Sequence, residues 1–319
     1  MMGFSKDVAR RIFQAWAVPE YITVVAEIAA PLDPLANKGM WKARGLHCFL
    51  YFLHRMYCGT QPSHDKQEFC YSYSALSSIF TAFCRWMDIT HSFRLTNIPI
   101  DRAAEFNAAI VAKIETLFPG EVMPPDLRHV FLFTDGNRRR ISRPAGEFWV
   151  QYAYFSGDKW FCNVGSQGTT GPDGMFYDWF MGPVGRRADQ HFFNESHLNT
   201  RLQDLQLGNP IQYWTYTDKG FVAMSHCRSA IRGGGLMQRY FDVMMSSGRV
   251  TVEWGFGKIK QRCRLLDDVL YLRVFSVNIE RITRCAVLLT NTHTCIENLG
   301  SNSSCYFNIA APILEDYFQ

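Results

Sequence analysis

Three acidic residues, Asp135, Asp218 and Glu253, stand in settings where a carboxylate could be held for phosphodiester chemistry. Asp135 follows the apolar run Val130-Phe-Leu-Phe-Thr, and Asp218 follows Gln212-Tyr-Trp-Thr-Tyr-Thr. Each acid therefore lies directly beyond a strand-like stretch, with a glycine one or two positions later. Taken singly, an Asp near Gly after a strand is ordinary turn chemistry. Glu253 has a different setting. Val252, Phe256, Ile259, Cys263 and Leu266 recur at spacings of four and three, one buried helical face, and Glu253 sits beside that stripe. The plain alternative is a solvated glutamate paired with a lysine of the same helix. Gly255 and Gly257 weaken a helix by roughly 1 kcal/mol each relative to Ala, or admit close approach of another backbone or a phosphate chain.

Three carboxylates suit a hard divalent cation, which takes oxygen ligands rather than His or Cys. Two such ions about 3.5–4 Å apart stabilise the attacking and leaving oxygens of an in-line displacement. No Ser-His-Asp arrangement, phosphate-binding glycine loop or zinc-ligand spacing competes.

The elements that would position these acids fall into two textures. Up to about Leu117 the chain reads as helical, with 3-to-4 spacing over Ser5–Ala15, Leu46–Cys58, Tyr73–Trp86 and Arg102–Leu117. Phe118-Pro-Gly and Met123-Pro-Pro break this pattern. Beyond it, Val130-Phe-Leu-Phe predicts a buried strand ending at Asp135-Gly-Asn. Phe148–Phe155, Trp160–Val164 and Met175–Met181 predict an antiparallel meander, and Ile211–Tyr216 another strand. Helices are expected over Val252–Leu266 and Val269–Leu289. The expected fold class is α/β: a helical N-terminal region over residues 1–125, then a mixed sheet flanked by helices over 126–319.

With 319 residues, 47% hydrophobic and 19% charged, the chain can bury a sizeable core and lies far from the disordered regime. The net charge of +4 is too small to imply nucleic acid by itself. Ten cysteines scattered without a C-x-x-C pair point to reduced thiols in an intracellular protein. The sequon-like Asn194-Glu-Ser and Asn302-Ser-Ser are then chance matches. The N-terminus has no signal core, and no apolar run is long enough for a membrane span.

Several blocks in order resemble the PIF/Harbinger-type DDE transposase family and its domesticated nuclease relatives. They are Asp135-Gly-Asn with Ile141-Ser-Arg-Pro, Tyr154-Phe-Ser-Gly-Asp-Lys, Pro172-Asp-Gly, Gly182-Pro-Val-Gly-Arg-Arg-Ala-Asp, Asp218-Lys-Gly-Phe and Val252-Glu-Trp-Gly-Phe-Gly-Lys-Ile-Lys. The 35-position separation of Asp218 and Glu253 also fits. The resemblance spans about Val130 to Asn291. It implies an RNase H-like fold in which Asp135, Asp218 and Glu253 are the catalytic triad and hold two Mg²⁺ or Mn²⁺ ions. It also implies DNA cleavage with strand transfer, a nuclear protein, and DNA as partner. A separate DNA-binding accessory protein and homo-oligomerisation are further expectations. Asp189 matches a family acid often preceded by His, here Ala188, and is read as a supporting residue behind the triad. The family commonly has Thr and His after the first Asp-Gly, where this chain has Asn137 and Arg138.

Basic residues flank each acidic block. Arg138, Arg139, Arg140 and Arg143 follow Asp135, Arg186 and Arg187 precede Asp189, and Lys258, Lys260, Arg262 and Arg264 follow Glu253. Any one cluster is by default a solvated face; gathered by the fold, they would contact phosphates without reading sequence. The front helices, with the Gly59-Thr-Gln-Pro-Ser turn, are compatible with a helix-turn-helix, and a structural cap is the alternative. The Ile79, Phe80, Phe83, Trp86 stripe reads as core, and the histidines show no ligand spacing. An active nuclease, a DNA-binding descendant with weak or lost catalysis, and an interaction scaffold all remain compatible with these residues.

Overall fold

A computed structural model describes residues 4–25, 39–59, 62–122, 125–182, 184–230 and 235–319. The Met123-Pro-Pro break, Pro183 and the centre of the Gly59–Ser63 turn fall outside the described residues.

The front of the chain comprises α1 (Lys6–Ala15), β1 (Tyr21–Val25), β2 (Met40–Arg44), α2 (Gly45–Cys58), α3 (Pro62–Phe69), α4 (Tyr73–His91) and α5 (Ala103–Leu117). Side-chain caps fix two of the starts: Ser5 accepts from the Val8 amide and Ser72 from the Ala75 amide. The β1–β2 hairpin is absent from the sequence reading, which placed only helices there. Ile79, Phe80 and Phe83 are buried, as their spacing predicts.

The rest of the chain is a mixed α/β layer. Its strands are β3 (Val130–Arg140), β4 (Phe155–Ser156), β5 (Phe161–Thr170), β6 (Phe176–Met181), β7 (Trp214–Thr217) and β8 (Cys227–Ser229). Its helices are α6 (Phe148–Tyr154), α7 (Asp189–Glu195), α8 (Leu198–Leu205), α9 (Leu236–Arg262), α10 (Ile279–Glu297), α11 (Asn302–Phe307) and α12 (Leu314–Phe318). The sheet runs β4-β5-β3-β7-β8, with β6 also on β5; β3 pairs antiparallel with β5 and parallel with β7. Val130 to Phe133 are fully buried, as a central strand covered on both faces requires. Thr134 lies beneath the site, its hydroxyl 2.8 Å from that of Thr169 and 2.7 Å from that of Thr215, so three strands are tied by one buried polar cluster.

The front helices and the C-terminal helices share one hydrophobic core. Trp16 is fully buried and donates from Nε1 to the Thr292 hydroxyl of α10 at 3.2 Å, and its ring packs against Phe318. All ten cysteines are free thiols, most of them buried. Among the described residues, no helix is long and apolar enough to cross a membrane.

Four expectations are corrected. The first strand does not end at Asp135: β5 pairs with β3 from Phe133 to Arg140, so strand pairing overrides the turn propensity of Asp-Gly-Asn. Phe148–Tyr154 is a helix rather than the first strand of the meander, because β5 offers this segment only a two-residue edge, taken by Phe155–Ser156. The strand before Asp218 is shorter, beginning at Trp214 rather than Ile211. The last two helices are displaced, α9 beginning at Leu236 and α10 running from Ile279 to Glu297. The polar stretch Thr290-Asn-Thr-His-Thr lies inside α10 and is buried. Thr290, Thr292 and Thr294 donate to carbonyls four residues back, which satisfies their hydroxyls without water.

Candidate active site

The parallel register of β3 and β7 sets Phe133 opposite Tyr216, so Asp135 and Asp218 each follow two residues beyond a paired position. Helix α9 crosses this end of the sheet. Gly248 lets it do so closely, since a side chain there would lie 2.8 Å from the Phe133 ring. The next residue, Arg249, reaches the acids. Its guanidinium donates to Asp135 Oδ2 at 2.6 Å and pairs with Glu253 Oε1, one turn along the helix, at 2.8 Å. Asp135 and Glu253 are thereby gathered on one cation.

Asp135 is the acid whose surroundings perturb it. Burial pushes the Asp135 carboxyl up to about 6. Arg249 and the Gly136 amide, which donates to Oδ1 at 2.8 Å, oppose this, while the charges of Asp218 and Glu253 add to it. Asp218 Oδ1 accepts from the Gly220 amide at 2.7 Å, a local turn that fixes the carboxylate just past β7. Glu253 stays half exposed, its side chain at 51%. The stripe beside it packs as its spacing predicts: Val252, Ile259, Cys263 and Leu266 are buried, and Phe256 is partly buried against the core. Gly255 admits a side chain rather than a phosphate, with Phe176 packed against it, and Gly257 faces open space.

Asp189 approaches from the other face of β3. Strand alternation points residue 136 away from Asp135, and a Cβ on Gly136 would lie 2.7 Å from the Asp189 carboxyl. A Cβ on Gly220 would lie 3.0 Å from Asp218 Oδ1 and 3.8 Å from Asp189 Oδ2, so those two carboxylates face one small space. Arg138 holds Asp189 at 3.2 Å and donates to the carbonyls of Gly185 and Arg187, which fixes the loop that delivers it.

The donors around this point are oxygens alone, which suits a hard cation. Two of them, Asp135 and Glu253, are held by Arg249, and among the described residues no three His, Cys, Asp or Glu side chains close around a metal ion. Arg249 was not singled out in the sequence, although Arg and Glu at i and i+4 on a helix is a readable signal. The pair straddles the expected helix start at Val252, whereas α9 begins at Leu236.

The basic residues divide by environment. Arg139 does not face solvent, because alternation turns it inward, where it donates to the Leu266 carbonyl at 3.1 Å. Lys258 is also largely covered and pairs with Glu297 at 3.6 Å. Arg187 pairs with Glu195. Arg138, Arg139, Arg140 and Lys260 line one cleft of about 500 Å³ with Phe256 and Asp267, so the fold does join the group after Asp135 to the group after Glu253. Arg264 is exposed beyond α9, and Arg186 is exposed with its guanidinium 3.6 Å from the Tyr152 ring centre.

Comparison with known proteins bears on this half of the chain. Residues 134–291 match the family model described as DDE superfamily endonuclease. The match supports the DDE superfamily. Asp135, Asp189, Asp218 and Glu253 all lie within the matched stretch. No curated protein and no solved structure matches the chain.

Proposed function

We propose that this protein is a divalent-metal-dependent DNA nuclease of the PIF/Harbinger type. In this reading an RNase H-like domain over residues 126–319 follows a helical region over 1–125, and strand transfer is the second step. The observation that carries the reading is the β3–β7 register, which sets Asp135 and Asp218 on neighbouring strands two residues beyond a paired position, with Glu253 tied to Asp135 through Arg249. The match to the DDE superfamily endonuclease model supports it. Asp135, Asp218 and Glu253 would hold Mg²⁺ or Mn²⁺, and Asp189 with Arg138 would position the loop behind them. When bound, two divalent ions supply the charge that stabilises the attacking and leaving oxygens of an in-line displacement. The chain's own part is orientation. β3 and β7 fix two carboxylates, α9 supplies a third on a half-exposed side chain, and Arg138, Arg140 and Lys260 offer cations for phosphates. DNA is then the substrate, and the nucleus the implied compartment.

A second reading, DNA binding with catalysis lost, is favoured by one observation: Arg249 already pairs with two of the three acids that would take the metal. Nicking of supercoiled DNA with and without Mg²⁺, by wild type and by Asp218→Asn, decides between them. Mg²⁺-dependent nicks that vanish in the variant support the nuclease; equal activity in both, or none on any DNA, removes it.

A further inference from the structure

An aromatic surface next to the basic cleft has no role in the site described above. Helix α6 and the turn before β5 expose Phe148 (66%), Trp149 (71%), Tyr152 (44%) and Trp160 (82%). Large rings left this open cost solvation that burial would recover. Trp160 moreover adopts φ +56°, a left-handed conformation disfavoured for a bulky residue, at the end of a turn closed by its amide on the Ser156 carbonyl. Strain of this kind is kept where a side chain must be presented. Phe148, Tyr152 and Trp160 line a groove of about 480 Å³ whose charged lining residues are Arg140 and Arg143, with no carboxylate among them.

The groove opens onto the cleft lined by Arg138, Arg140 and Lys260. Arg140, Phe161 and Val269 line both spaces. Along β3, Arg140 lies five residues beyond Asp135, roughly 17 Å at the rise of an extended strand. Guanidinium groups already sit against ring faces here, Arg186 on Tyr152 at 3.6 Å and Arg140 on Phe161 at 5.9 Å. Such planes stack on nucleobases, while the free cation edges meet phosphates.

We propose that this groove binds an unpaired DNA strand, stacking its bases on Trp160, Tyr152 and Phe148, beside the duplex phosphate that the acids would cut. The proposal rests on the nuclease reading for its direction, but its binding step needs no metal and no catalysis. Stacked rings give affinity without sequence preference, because every base offers a π-face.

The test measures fluorescence anisotropy of a fluorescein-labelled twelve-nucleotide thymidine strand and of a matching duplex, with full-length protein in EDTA. Truncating a stacked ring is expected to weaken strand binding roughly 5- to 150-fold, the equivalent of 1–3 kcal/mol per base. Trp160→Ala and Tyr152→Ala should show this loss with duplex affinity nearly unchanged, and Trp160→Phe should restore most of it. Arg140→Gln should weaken both ligands and lower the salt slope by about one. Because Trp160 is exposed, its truncation should leave the melting temperature unchanged, which separates binding from folding. Ring variants that hold the strand as tightly as wild type overturn the proposal. So does a ring variant whose main effect is to dissociate an oligomer or release a bound protein, which would make the groove a protein interface. Absence of nicking with ring-dependent strand binding intact would refute the nuclease reading and leave the groove standing.

Discussion

Replacing Arg249 with Gln removes the guanidinium that bridges Asp135 and Glu253, and the Asp135 carboxyl should report it. Opposite unit charges about 4 Å apart are worth about 4 kcal/mol at an effective dielectric of 20. At 1.36 kcal/mol per pKa unit this sets an upper bound of about 3 units. The Asp135 and Arg249 side chains keep 16% and 19% exposure, and the glutamine amide still donates a hydrogen bond, so water and that bond reduce the effect. The expected rise is roughly one to two units above the starting value, which burial has already pushed up to about 6. Asp218→Asn should move the same group the other way, since it removes a neighbouring negative charge. Carboxyl ¹³C NMR of aspartate-labelled protein, with the Asp135 signal identified by its loss in Asp135→Asn, reads both shifts. A midpoint unchanged in Arg249→Gln would mean that Asp135 does not sense this cation, and the bridged arrangement of the acids would be wrong.

Other consequences follow from the same geometry. Because Asp135 must be ionised to ligate, and its raised midpoint means it protonates first on acidification, Mn²⁺ affinity should fall about tenfold per pH unit below about 6 and level off above it; a titration series from pH 5 to 8 that breaks near 4 instead would contradict this. Gly136→Ala places a methyl against the Asp189 carboxyl and should cost about 1–3 kcal/mol in urea denaturation, with Asp189→Ala in the same chain recovering most of it; additive losses would show that the two do not touch. Arg201→Met strands the buried Asp178 carboxylate, now paired at 2.6 Å, and should cost about 3–5 kcal/mol, recovered in part by Asp178→Asn. A loss below about 1 kcal/mol would show that Asp178 finds another partner.

Much of the site was legible because each acid carries a local signature. Apolar runs put Asp135 on a strand and Asp218 just past one, though β3 runs on through Asp135, and the Val252–Leu266 stripe places Glu253 beside a buried helical face. What local pattern does not carry is pairing. Nothing near Asp135-Gly-Asn says that β5 will hold it extended, and nothing in Phe148–Tyr154 says that the sheet edge is already taken. The run Arg138-Arg139-Arg140 looks uniform in sequence, yet alternation along β3 buries the middle residue, whose guanidinium donates to the Leu266 carbonyl, and leaves Arg140 exposed. Arg249 was hidden by a misplaced helix start, and the polar half of α10 by threonines whose hydroxyls bond within their own helix. In each case a contact far along the chain, or a side chain satisfied internally, overrode what the neighbouring residues suggest.

The central claim is that Asp135, Asp218 and Glu253 are ligands of one divalent-metal centre. Anomalous scattering from a crystal of the wild-type protein grown with Mn²⁺ tests it most directly. The account predicts a Mn²⁺ peak within bonding distance of Asp135 and Asp218 carboxylate oxygens, with the Arg249 guanidinium withdrawn from Asp135. Mn²⁺ bound elsewhere, or Arg249 still bridging Asp135 and Glu253 at saturating Mn²⁺, would contradict it.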